Sequence, residues 1–81
     1  MEITAEISLY PLEEKYGPVI DNFIQDLESR EQIEVEAGVM SSLIRGEYHD
    51  VMRILEEEVF KVFRHNHAVI NIKIANACEI K

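Results

Sequence analysis

The chain has 81 residues, 47% hydrophobic and 30% charged, which excludes a disordered chain and predicts one domain with a thin core, residues 1–81. Sixteen acidic residues against eight basic ones leave a formal charge of -8, which repels polyphosphate backbones and excludes nucleic acid as the expected partner. One cysteine, Cys78, makes no internal disulfide, no basic-then-apolar leader precedes the first strand-like segment, and no apolar run approaches the roughly 18 residues that span a bilayer. The expectation is a cytoplasmic protein without membrane insertion.

Residues 3 to 10 alternate, with Ile3, Ala5, Ile7 and Leu9 on one side and Thr4, Glu6, Ser8 and Tyr10 on the other. This spacing predicts a half-buried strand, closed by Pro11, which has no amide proton for a ladder. Gly17-Pro18 suits a helix start, and Val19, Ile20, Phe23, Ile24 and Leu27 then form one apolar stripe on a helix of about 12 residues. Ile33, Val35, Ala37 and Val39 alternate with Glu34, Glu36, Gly38 and Met40, predicting a second strand that runs into a tight turn near Ala37-Gly38. Residues 40 to 45 read as the third strand. The two flanking glycines, Gly38 and Gly46, fall where the chain is expected to need freedom in φ, and Gly46 is expected to hand over to the second helix. Tyr48, Val51, Met52, Leu55, Val59, Val62 and Phe63 keep a helical period there, with Glu47 and Asp50 early and Lys61, Arg64 and His65 late, matching the helix dipole. Asn66 is expected as a left-handed stop, and Val69 to Ala75 as a last strand with Ile70, Ile72 and Ile74 on one side and Asn71 and Lys73 on the other.

The order strand, helix, strand, strand, helix, strand predicts an α+β fold of the ferredoxin-like βαββαβ type, a four-stranded antiparallel sheet with both helices on one face. The first and third strands are expected at the centre, the fourth beside the first and the second beside the third. In that reading Met40 to Ser42, at the start of the third strand, lie near Asn76 to Cys78 at the end of the fourth.

The chemistry is expected on the open face of the sheet. His49, His65 and His67 have no cysteine or carboxylate at ligand spacing, so no metal site is expected. Cys78 lacks a CxxC partner and reads as a small, half-buried thiol. No nucleophile with a supporting base and glycine elbow is present, and Glu6, Glu34 and Glu36 are spaced as a solvated sheet face, so catalysis is not expected. What remains is a face carrying Glu6, Ser8, Tyr10, a hydroxyl from Ser41 or Ser42, Met40, Asn71 and Lys73. It reads either as simply wet or as a surface that packs against a second sheet with a ligand between. The adjacent hydroxyls are the focus of that reading; the plainer alternative has one facing water and one bonded to neighbouring backbone.

The segment Ile7-Ser8-Leu9-Tyr10-Pro11-Leu12, the segment Met40-Ser41-Ser42-Leu43-Ile44-Arg45-Gly46 followed by Tyr48, and the strand Asn71 to Cys78 resemble the thiamine-binding, YkoF-like family, in the same order and at similar spacing. The resemblance implies a ferredoxin-like fold and binding of thiamine or its hydroxymethylpyrimidine moiety, without known catalysis, in uptake or salvage of that vitamin. Ser42 departs from the family's Met-Ser-Thr-like motif, keeping the hydroxyl but losing a restraining methyl. Some family members carry two such domains in tandem, so a homo-oligomer, dimer or tetramer, is expected to supply the second half here. Thiamine presents a cationic thiazolium and an aminopyrimidine with donors and acceptors. Against those groups the expected ligand-binding residues are Glu6 as acceptor or countercharge, Ser41, Ser42, Ser8 and Asn76 as hydrogen-bonding groups, and Tyr10 and Met40 as walls. No cofactor other than that ligand is expected. The competing class is a regulatory or structural oligomerisation domain without a small-molecule ligand.

Overall fold

A computed structural model describes residues 1–77. Its elements are β1 (Glu2–Pro11), α1 (Gly17–Glu28), β2 (Ile33–Ala37), β3 (Ser42–Glu47), α2 (Tyr48–His65) and β4 (Ala68–Ala75). The strands form one sheet in the order β2-β3-β1-β4, every neighbouring pair antiparallel, which is the expected ferredoxin-like α+β arrangement. The alternation in β1 sends Ile3, Ala5 and Ile7 beneath the helices, where they meet Ile33 and Ile44 from the sheet, Phe23 and Leu27 from α1, and Val51, Ile54, Leu55 and Val62 from α2.

The register corrects the expected neighbour of the two serines. Because β1 is antiparallel to both β3 and β4, those two outer partners run parallel to each other. Ile7 faces Ser42 on one side and Ile72 on the other, while Thr4 faces Arg45 and Ala75. The start of β3 is therefore level with the middle of β4, and Asn76, just past the end of β4, lies toward the far end of β3, where Ala75 is level with Arg45.

The glycines act through size rather than φ, since neither they nor any other described residue has a positive φ. Gly46 is inside β3, not at the helix entry. A Cβ there would sit 3.0 Å from the Gln32 carbonyl oxygen, 3.2 Å from Ile33 Cγ2 and 3.3 Å from Val51 Cγ2, so the missing side chain lets the start of α2 close over the strand. At Gly38 a Cβ would lie 2.9 Å from the Ser41 carbonyl oxygen, which accepts the Gly38 N–H at 2.8 Å across the connection between β2 and β3.

Both ends of α2 are closed by side chains. Glu47 accepts the His49 N–H at 3.0 Å; partial burial of its carboxyl works upward on the pKa, but the hydrogen bonds from His49 prevail and lower it. At the other end Asn66 is extended, φ -145° and ψ 151°, rather than left-handed. It stops the helix by donating both its N–H (2.9 Å) and its Nδ2 (3.1 Å) to the Val62 carbonyl.

The core-facing stripe of α2 is turned from the expected one. Val51, Ile54, Leu55, Glu58 and Val62 are buried, whereas Tyr48 and Phe63 are exposed. A carboxylate in the buried stripe is tolerated because Arg30, in the connection after α1, donates to Glu58 Oε2 from Nη2 at 2.6 Å and from Nε at 3.3 Å. Arg30 Nη1 also reaches Glu57 at 2.7 Å, and Lys61 lies 3.3 Å from Glu58 and 3.0 Å from Asp26. The hydrogen bonds to Glu58 and Glu57 raise the Arg30 pKa, and that to Asp26, with Glu58 adding to it, raises Lys61. This cluster ties α2 to α1 and to the approach to β2.

Candidate ligand-binding site

Met40-Ser41-Ser42 straddles the edge of the sheet where the connection from β2 becomes β3. Side chains on a strand point alternately to its two faces, so the adjacent serines part company. Ser42 faces the helices and is 5% exposed, opposite Ile7. Ser41 faces the open side, where its Oγ donates to Glu6 Oε2 at 3.1 Å.

On the helix side, Ser42 lines a cavity of about 70 Å³ with Ile7, Leu9, Ile20, Phe23, Ile24 and the connection Gly38 to Ser41. Ligand pockets are usually a few hundred Å³, so in this conformation the cavity has room for a few waters and no more. Its outer wall is the connection, with Val39 and Met40 almost wholly out in solvent. Outward movement of those four residues is what would enlarge it.

On the open side, Glu6 is half-buried between Leu43 and Lys73, and Lys73 Nζ lies 3.9 Å from Glu6 Oε1. Ser8 pairs with Asn71, and Tyr10, about half exposed, pairs with Val69 at the end of the strand. Thr4 is nearly fully buried on this face, and its Oγ1 and the neighbouring Arg45 Nε are buried without a protein partner. A shallow depression of about 490 Å³ over Thr4, Glu6, Leu43, Lys73, Ile74 and Ala75 completes the face.

The fold thus brings together Glu6, Ser8, Tyr10 and Ser41 on one face. It puts Ser42 and Met40 around a cavity on the other, and it leaves Asn76 at the far end. Cys78 lies outside the described residues. Ile20, Phe23 and Ile24 were legible as a helix stripe but not as cavity walls, because only the crossing of α1 over the start of β3 gives them that role. Among the described residues no three histidine, cysteine, aspartate or glutamate side chains cluster as a metal site, and no helix is long and apolar enough to cross a membrane.

Residues 2–79 match the YKOF-related Family. The chain belongs to that family. A protein of Thermotoga maritima named as a candidate thiamine biosynthesis/salvage protein shares the fold at TM-score 0.84 and 21% identity, over 95% of this chain and 85% of that one. A Streptococcus pneumoniae protein superimposes at TM-score 0.86 with 26% identity, over 99% and 90% of the two chains. A hypothetical protein of Methanocaldococcus jannascii does so at 0.80 with 18% identity, over 99% and 84%. The comparison with curated proteins gave no match. In this YKOF-related chain the segment Met40 to Ser42 puts one hydroxyl on each face of the sheet.

Proposed function

We propose that this protein binds thiamine or its hydroxymethylpyrimidine moiety without transforming it, in uptake or salvage of the vitamin. The observation that carries the reading is the split of Met40-Ser41-Ser42 across the sheet. One hydroxyl stands at an apolar cavity walled by Phe23 and Ile20, and the other is bonded to the Glu6 carboxylate on the open face. An aminopyrimidine needs a flat apolar slot with a hydrogen-bonding group at its end, which the Ser42 cavity provides once the connection at Met40 swings outward. A thiazolium needs a countercharge, and Glu6 provides it only if that ring, one methylene from the pyrimidine, rounds the start of β3 at Ser41 to the open face. The name of the Thermotoga maritima protein supports the same ligand class.

Calorimetric titration with thiamine and with hydroxymethylpyrimidine tests it. Ser42→Ala should weaken binding by about 0.5–1.5 kcal/mol as a lost neutral hydrogen bond, and Glu6→Gln by about 1.5–3 if the carboxylate meets the cation. Glu28→Gln, exposed on α1, should leave the titration unchanged. A wild type that gives no heat with either compound refutes the vitamin reading. Binding that is unchanged in both Ser42→Ala and Glu6→Gln keeps the ligand and removes the site.

A further inference from the structure

Thr4 is out of keeping with the rest of the open face. It faces Arg45 on β3 and Ala75 on β4 and is 4% exposed, whereas Glu6, Ser8 and Tyr10 on the same side of β1 are half-buried or exposed. Its Oγ1 and the Nε of Arg45 are both shut away from solvent with no hydrogen-bond partner among the described residues. Buried polar groups are nearly always paired, because leaving one unpaired forfeits its hydration for nothing in return. Here two of them stand on residues that face each other across one strand pairing. One is an N–H of a charged guanidinium, the other a hydroxyl free to donate.

Arg45 is only loosely engaged elsewhere. Its side chain is 42% exposed, and its ion pair is a long one, Nη1 to Glu34 Oε2 at 3.7 Å, with a carboxylate that is 83% exposed. A guanidinium held so weakly can turn on its long stem, which opens Nε and Thr4 Oγ1 to the surface. The surface there is hollow on both sides. One depression of about 280 Å³ runs toward Glu34 and Glu36, the other of about 490 Å³ toward Lys73 and Ala75, and Thr4 and Leu43 line both. Together they give room for a small molecule of a few hundred Å³.

Charge selects the occupant. Two donors, one of them cationic, call for an anion with two acceptor atoms. Glu6, Glu34 and Glu36 stand around the depressions and penalise a doubly charged phosphate more than a singly charged carboxylate. We infer that Thr4 and Arg45 bind a small monocarboxylate, one oxygen accepting from Arg45 Nε and the other from Thr4 Oγ1, with the apolar body of the molecule against Leu43. The site is on the face opposite the Ser42 cavity, and it does not rest on the vitamin reading.

Proton–nitrogen NMR with butyrate tests it, read at the Arg45 Nε–H and the Thr4 amide. Butyrate should shift both along a saturating curve. Its neutral counterpart butyramide should bind about tenfold or more weakly, and inorganic phosphate more weakly than butyrate. Thr4→Val removes the hydroxyl at nearly the same shape, so it should stay folded while raising the butyrate dissociation constant about tenfold. Arg45→Met, read at the Thr4 amide, should raise it at least as much. A shift that stays linear, or that is as large at Arg30, Arg53 and Arg64, is non-specific ion binding and overturns the inference. So does butyrate binding that Thr4→Val and Arg45→Met leave unchanged, or phosphate that binds more tightly than butyrate.

Discussion

The two flanks of the sheet are built on opposite principles. On the β2 side the chain is locked: Arg30 grips the buried Glu58, Gly46 lets α2 press onto the strand, and the exposed edge is short and acidic. On the β4 side the helix turns aromatic residues outward, and the outer edge of a long, almost uncharged strand has no neighbouring strand among the described residues. The first flank spends its polar groups on holding one chain together, the second leaves apolar surface for something else. Residues of the same type should therefore differ in what they do according to the flank they occupy.

The sharpest contrast is between two large apolar side chains. Leu27→Ala, fully buried in α1 on the locked side, should cost about 2–5 kcal/mol in denaturant unfolding at any protein concentration. Phe63→Ala should cost under about 0.5 kcal/mol when the chain is dilute, with any further loss growing with concentration. Equal, concentration-independent losses would erase the distinction between the flanks. Glu58→Gln comes next, at about 1.5–3 kcal/mol, because it removes a carboxylate that accepts charged hydrogen bonds from a position of little solvent access. Urea unfolding checks it, and a gain in stability would mean that desolvation of the ion pair outweighs its bonds. Gly46→Ala should cost about 1–3 kcal/mol, since Gln32, Ile33 and Val51 must each yield a few tenths of an ångström to admit one methyl. A neutral result there would show the β2 flank to be looser than its contacts indicate.

The site was only half legible. Ser41 and Ser42 stand out as adjacent hydroxyls, but their opposite destinations follow from the strand starting at Ser42 and from its pairing with Ile7. Asn76 belongs with them only if the end of the fourth strand meets the start of the third. Two strands that are both antiparallel to β1 run the same way, so Ser42 is level with Ile72 in the middle of β4 and the end of β4 is level with Arg45. Helical period alone leaves Glu58 out of the α2 stripe, since a lone carboxylate is ordinarily a surface residue, yet it is buried there. Its guanidinium partner lies 28 positions earlier in the chain, where no local period reveals it.

Periodicity by itself determined the six elements, their order and the fold class, because alternation and helical spacing are local consequences of backbone geometry. Family membership was equally readable, since short motifs in register survive without coordinates. Tertiary structure alone decided which face each serine serves, why Gly46 must be small, where a buried glutamate finds its cation, and which edge of the sheet is left open. Each of those depends on residues far apart in sequence coming within a few ångströms. Such distances are set by strand register and by the turn of a helix about its axis, which no window of neighbouring residues encodes.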